Sequence, residues 1–386
     1  METSSKYGLW IILASSTLTV MAGAIIAPVL NLMEEELYVT PELARLIITT
    51  HGIFIALCSP LIGVIIDRIG VKKPFVFGLV IYGLAGGSGL LITNYWLLLV
   101  SRMILGIGVA ATFTSITVII LSLYAGPRRN KVMGWRASSS SIGGVIWPLL
   151  GGFLGTFSWH LPFVAYLMGV PLGLLALLSV PESHRKTTQV ADSIDSSQSM
   201  LHLVKSTPIL YVIYGLSLFT NVLLYTIVVF MPKLVDQLGI VSSFYIGIFI
   251  SISAMAAGVT ALFYGRIRAR LSYKAIVVVI MALWVIGFIT MSQAFSIWVV
   301  VVSIALYGIG QGMMMPTVTI WAGEVVPASF RGRITSYLAT FGFVGQFLSP
   351  IIMSPLALFM GMSNMFLVVA GFCSLFFILF LAFFRQ

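Results

Sequence analysis

Charge is scarce in this chain, and cysteine is nearly absent. Of 386 residues, 11 are Asp or Glu and 21 are Lys or Arg, so 8% are charged while 59% are hydrophobic. Soluble domains carry about a quarter charged residues, which excludes an ordinary water-soluble globule. The two cysteines, Cys58 and Cys373, fall in separate apolar stretches and exclude a disulfide framework. No HExxH pair, GxSxG elbow or GxxxxGK[ST] loop is present. The reading is therefore of a non-enzyme with no catalytic residues, no metal site and no bound cofactor. Carboxylates are also missing from the middle of every apolar stretch.

What the chain has instead is twelve apolar runs, each long enough to cross a bilayer at ~20 residues. They lie near 8–32, 43–66, 74–93, 95–122, 131–156, 160–180, 208–232, 243–264, 273–292, 296–321, 333–355 and 363–384. A net charge of +10 would fit a nucleic-acid binder only if the basic residues were clustered on one accessible face. They are not: 18 of the 21 lie at the termini or in the even-numbered loops, and only Arg45, Arg102 and Lys233 fall elsewhere. This positive-inside pattern places both termini in the cytoplasm. It predicts a multi-pass protein of the cell (inner or plasma) membrane, with the lipid bilayer rather than nucleic acid as its surroundings. The first run, behind Lys6, reads as an uncleaved span because eleven more follow it.

The longest polar interruption, 181–207, is a Ser- and Thr-rich linker. It divides the chain into a first six-span half, 1–180, and a second, 208–386. The halves echo each other in order. Gly63-x-x-x-Asp67-Arg68-x-Gly70-x-Lys72-Lys73 returns as Gly265-x-x-x-Ala269-Arg270-x-Ser272-x-Lys274. Leu105-Gly106-x-Gly108 returns as Tyr307-Gly308-x-Gly310, Pro127-x-x-x-Lys131 returns as Pro327-x-x-x-Arg331, and Pro148 returns as Pro350. Four features in register imply duplication, and duplicated halves around a midplane site are the architecture of secondary transporters.

With these motifs the chain resembles the major facilitator superfamily over essentially its whole length, and within it the twelve-span drug:proton antiporter group. The loop 2–3 signature is complete at Gly63, Asp67, Arg68, Gly70, Lys72 and Lys73. The span-4 signature appears as Arg102 followed by Gly106 and Gly108. The antiporter signature in span 5 is matched in spacing at Gly134, Gly143, Pro148, Gly151 and Gly152, with Trp147 where the family has Gly. The resemblance implies an all-α fold of twelve transmembrane helices in two six-helix bundles around a central cavity. It also implies that Asp67 meets the N-terminus of span 11 when the inner side is closed, where Arg331 or Arg333 would add an ion pair. A carboxylate at a helix N-terminus gains ~0.3–1 kcal/mol when exposed and up to ~2 kcal/mol when partly buried. Trp147 is expected to crowd the close helix contact that the glycines allow.

Arg102 lies ~9 Å below the outer surface, counting from Trp96 at ~1.5 Å per residue. A cation at that depth faces either a wet cavity or the headgroups by snorkelling, and the glycines that follow it on the same helix favour the cavity. Proton coupling needs a titratable group that both sides reach in turn. With no mid-span acid, His51 is the candidate, because histidine titrates in the useful range; Glu34 at the outer mouth is the rival. Arg102 and Arg136, without a buried acid beside them, favour neutral or anionic substrates. Tyr225 and Gln311 are further candidates to line the pocket. The expected activity is proton-gradient-driven efflux of a drug-like or metabolite small molecule by a monomer. The alternative is an uptake permease (symporter) for a small organic anion.

Overall fold

The computed structural model describes residues 2–124, 126–181, 205–327 and 331–383. The expected linker therefore lies almost wholly outside the described residues. Among the described residues, twelve helices are long and apolar enough to cross a membrane: α1 (Tyr7–Glu36), α2 (Pro41–Ile69), α3 (Lys72–Leu90), α4 (Tyr95–Leu123), α5 (Lys131–Gly155), α6 (Leu161–Ser179), α7 (Ile209–Gln237), α8 (Ser243–Arg270), α9 (Tyr273–Ser292), α10 (Ile297–Glu324), α11 (Tyr337–Met360) and α12 (Met362–Ala382). All twelve apolar runs become helices. Several extend further than hydropathy alone predicts, because the backbone ladder continues past the last apolar residue: α2 reaches Ile69, α7 reaches Gln237 and α8 reaches Arg270.

Local sequence sets several of the ends. Asn94 caps α4, its side-chain oxygen accepting the backbone N–H of Trp96 at 3.0 Å and of Leu97 at 3.1 Å. Ser272 does the same for α9 through Ala275 N–H at 3.3 Å. Gly70 closes α2 with φ +85°, a conformation that favours glycine, while its N–H reaches Ile66 O at 3.0 Å. The first span is not one continuous helix. It stops at Ala24 and resumes through a 3-10 turn at Ala27–Val29, where Pro28 lacks the N–H that an unbroken ladder needs.

Packing groups the helices into two six-helix bundles. In the first, α4 packs on α2 and α3, α3 on α6, and α5 on α1; in the second, α7 packs on α11, α10 on α8 and α9, and α9 on α12. The bundles meet chiefly along two pairs, α5 with α8 and α2 with α11. Lipid is as apolar as leucine, so helices in a bilayer associate through close van der Waals fit and small residues. The glycines of α4 show this. A Cβ on Gly106 would lie 2.6 Å from His51 O on α2, and one on Gly108 would lie 2.7 Å from Tyr82 N on α3. The two glycines of the span-4 motif thus bring one helix against two neighbours at once.

Twelve consecutive crossings put both chain ends at the same face, here called the terminal end; the opposite face is the distal end. Along α5 and α8 the bundles touch at the distal end and part towards the terminal end. A Cβ on Gly152 would lie 2.5 Å from Ser243 O, and one on Gly247 would overlap Pro148 O. Further along, a Cβ on Gly144 would sit 3.4 Å from Ala254, and one on Gly258 would sit 3.9 Å from Ser141. At Gly134 and Gly265 nothing lies within 4 Å of the added atom. The pair α2 and α11 repeats the pattern. Gly52 is packed against Gln346 and Phe343, while nothing approaches Gly63. The molecule is closed at its distal end and open at its terminal end.

Candidate functional site

At the level where the bundles last touch, α2 carries a buried polar run, Thr49, Thr50 and His51. His51 is 2% exposed, and its Nε2 lies 3.0 Å from the side-chain nitrogen of Gln346 on α11. The amide N–H donates and the imidazole Nε2 accepts, because an amide nitrogen has no lone pair to offer. Among the described residues, ring atom Nδ1 has no hydrogen-bond partner. Three glycines admit the ring and its backbone: Gly106 on α4, Gly52 beside Gln346, and Gly23 on α1. A Cβ on Gly23 would lie 3.2 Å from the imidazole and 3.4 Å from the Tyr225 hydroxyl. Tyr225, on α7, and His51 therefore converge on the same spot of α1. The structure brings together the coupling candidate and one of the expected pocket residues. It adds Gln346, which sequence reasoning missed although it is a lone amide within an apolar run.

Arg102 corrects an expectation. It neither lines the open cavity nor snorkels to the headgroups; it is fully buried inside the first bundle. Its Nη2 donates to Ala85 O at 3.1 Å and Gly86 O at 2.9 Å, two carbonyls in the last α-helical turn of α3. The guanidinium also lies over the rings of Phe163 at 5.0 Å and Tyr166 at 5.1 Å. A cation satisfied by helix-terminal carbonyls and aromatic faces can remain inside without a carboxylate. Among the described residues, Nη1 has no hydrogen-bond partner. Tyr166 and Tyr82 in turn donate to Ala22 O at 2.7 Å and Leu18 O at 2.6 Å on α1. Arg102 thus ties α3, α4 and α6 together.

Arg136 lies past the last approach of α5 to α8, towards the open end, and is half-buried. Its Nη1 donates to Thr117 Oγ1 at 2.8 Å, and its guanidinium stands 4.9 Å above the Phe113 ring. Phe113 meets Phe343 of α11 edge to face, with centroids 5.9 Å apart. Gln311 turns inward within the second bundle, accepting from the Tyr307 hydroxyl at 3.3 Å.

The span-5 glycines divide their work. Gly143 packs on Thr17 and Gly151 on Ile25, both of α1, while Gly152 packs on Ser243 of α8. Pro148 sits at the α8 crossing, its carbonyl against Gly247. Gly134 has open space around it. Trp147 does not crowd this contact, as its size suggested it would. Its indole Nε1–H donates to Thr17 O at 3.0 Å, so the side chain joins α5 to α1.

The distal closure is built from residues that the charge pattern had left over. Arg45, 5% exposed on α2, donates to Ser354 Oγ of α11 at 3.1 Å and lies 4.3 Å over the Phe230 ring of α7. Its ion-pair neighbour is Glu42 on its own helix, at 3.6 Å. Lys233 on α7 stands 3.7 Å from Glu34 of α1 and 3.7 Å from Asp236. Asn31 donates to Pro232 O at 3.2 Å. Glu34 therefore belongs to this closure. At the open end Asp67, Arg68 and Lys73 are exposed and Lys72 is half-buried, and Asp67 makes no ion pair among the described residues. The side chains of Arg331 and Arg333, its expected partners, lie outside the described residues. Among the described residues, no Asp or Glu is buried in the membrane interior.

A helical membrane protein of two bundles, closed at one end and open at the other, has the form of a secondary transporter. The profile of the Major Facilitator Superfamily matches residues 12–255 and 225–386, and the chain belongs to that family. Its members are transporters rather than enzymes. The chain is 26% identical to a bacillibactin exporter of Bacillus subtilis (strain 168), covering 92% of this chain and 90% of that protein. It is 23% identical to a class H tetracycline resistance protein of Pasteurella multocida, over 89% and 87% of the two chains. Among solved structures, a D-xylose-proton symporter superposes with a TM-score of 0.82 at 16% identity, covering 97% of each chain. A nucleoside transporter superposes with 0.81 at 15% identity, covering 98% of this chain and 100% of the other. These likenesses support the fold at full length.

Proposed function

We propose that this transporter is a proton-coupled exporter of a drug-like or metabolite small molecule, neutral or anionic, working by alternating access as a monomer in the cell membrane. The first and second bundles, 1–180 and 208–386, rock about the linker 181–207. The basic termini and even-numbered loops assign the terminal end to the cytoplasm, so the state described here faces inward and is ready to load. The observation that carries the reading is the one-sided closure: Gly152 and Gly247 in contact, Gly134 and Gly265 apart. The export direction draws support from the relatives named for bacillibactin export and tetracycline resistance.

His51 is the coupling group in this reading. It bridges the bundles through Gln346 and, among the described residues, is buried without a carboxylate beside it. Burying an imidazolium there is costly, so proton binding favours the conformation that opens this crossing to water. Asp67 acts later, meeting α11 once the inner end closes. The rival reading, an uptake symporter for a small organic anion, rests on Arg136 and uses the same fold.

Expression in a strain stripped of its major pumps, followed by accumulation of a compound panel, tests direction. Lower cellular content, reversed by a proton uncoupler, is the expected result. Raised content of every responsive compound would instead establish uptake. Histidine 51 replaced by glutamine (His51→Gln) should uncouple transport from the proton gradient; coupled transport surviving intact in this variant would eliminate His51 as the carrier.

A further inference from the structure

We infer that Arg136, with Thr117, Phe113 and Phe343, forms the recognition subsite for a planar aromatic anion, a carboxylate or phenolate carried on a ring. This deepens the transport reading above and rests on it. Arg102 and Arg136 look equivalent by charge alone, but their surroundings differ. Arg102 is sealed inside the first bundle on backbone carbonyls. Arg136 is half-buried on the part of α5 where α8 has already moved away, past the Ser141 and Gly258 approach. It is therefore reachable from the open end.

The chemistry of the spot is specific. Thr117 holds one guanidinium nitrogen at 2.8 Å. Among the described residues, Nε and Nη2 make no hydrogen bond and no carboxylate forms an ion pair with the group. Those two N–H edges match the two oxygens of a carboxylate, the fork geometry that arginine offers and lysine does not. Beside them stands an edge-to-face pair of phenyl rings, one from each bundle. An aromatic ring attached to the anion would lie against Phe343 while its charge meets Arg136. Because Phe113 belongs to the first bundle and Phe343 to the second, such a ligand would touch both moving bodies, as a cargo that is released by their rearrangement must.

The test is equilibrium dialysis of the full-length protein in lipid nanodiscs against 2-naphthoate and its uncharged isostere 2-naphthamide, with empty nanodiscs subtracted. The wild type should bind naphthoate at least tenfold more tightly than naphthamide. Arg136→Gln should bring that ratio to about one, whereas Arg136→Lys should keep part of it. Phe343→Ala should weaken both probes in proportion. The ratio is internal to each preparation, so a loss of folded protein does not mimic the result. A wild-type ratio near one, including binding of neither probe, overturns the subsite, as does an unchanged ratio in Arg136→Gln. The accumulation assay above stands apart from this one. Export can hold while the naphthoate preference fails, and the preference can hold in a protein that imports.

Discussion

Removing the Arg45 guanidinium should unlatch the distal end. Arg45→Gln deletes two contacts that cross between the bundles, the hydrogen bond to Ser354 at 3.1 Å and the position 4.3 Å over Phe230. The Glu42 neighbour lies on the same helix and is kept in either state, so it cancels. A hydrogen bond from a charged donor contributes ~1.5–3 kcal/mol, and a desolvated cation–π contact contributes ~0.5–2 kcal/mol. Against these stands the cost of holding a guanidinium that is only 5% exposed, which amounts to several kcal/mol unless partners offset it. Set against a gain of about 2–5 kcal/mol from the two contacts, that cost leaves closure at most on the order of 2 kcal/mol, or about 30-fold in the population ratio, since ~1.4 kcal/mol is tenfold. The assay is a spin-label distance measured across the distal end. Labels at Tyr38 and Val241, both exposed, would be placed in a background lacking the free Cys58 and Cys373. The unmodified latch should give one short distance, and Arg45→Gln a second, longer population. Ser354→Ala, which removes the hydrogen bond alone, should give a smaller shift. A single short distance in Arg45→Gln would refute the argument and leave the glycine contacts as the whole of the closure.

Three further outcomes follow from the same geometry. Asp67→Asn should slow transport severalfold with insertion and abundance nearly unchanged, as read by uptake into proteoliposomes alongside a membrane immunoblot; normal rates would remove Asp67 from the inner gate. Gly247→Ala puts a methyl group into the Pro148 carbonyl, an overpacking cost of ~1–3 kcal/mol. It should shift the distance distribution towards a parted distal end and lower the melting temperature, and a melting curve superimposable on wild type would contradict the packing account. Trp147→Phe keeps the ring but loses the Nε1–H bond to Thr17 O, worth ~0.5–1.5 kcal/mol. A drop of a few degrees in thermal denaturation, with transport retained, is expected.

The fold was readable in the sequence because lipid leaves so few options: every backbone group must be satisfied within its own segment, so each long apolar run becomes a helix. The glycine intervals were readable too, since only glycine lets a neighbour approach as His51 O approaches Gly106. Partners across the bundles were not. Gln346 is 295 positions from His51, and nothing local to an amide in a span announces which helix it will face. Arg102 was misread for a related reason. Its depth could be counted along α4, but its satisfaction depends on where α3 ends, at Ala85 and Gly86, in a different part of the chain.

The residues that break the charge pattern divide by the way each is satisfied. Arg45, Arg102 and Lys233 are the three cations outside the positive-inside distribution. Topology does not need them, and each carries the full cost of its position. Arg102 is offset entirely within one bundle, by carbonyls and rings that remain with it in any conformation. Arg45 and Lys233 are offset partly across the bundle boundary, by Ser354 and Phe230 in one case and Glu34 in the other. A cation whose partners all travel with it stabilises a bundle, and one whose partners belong to the other body stabilises a state. Arg136 is held on its own bundle by Thr117 and Phe113, yet among the described residues two of its N–H edges have no partner. That combination fits a group whose remaining partner arrives from solution.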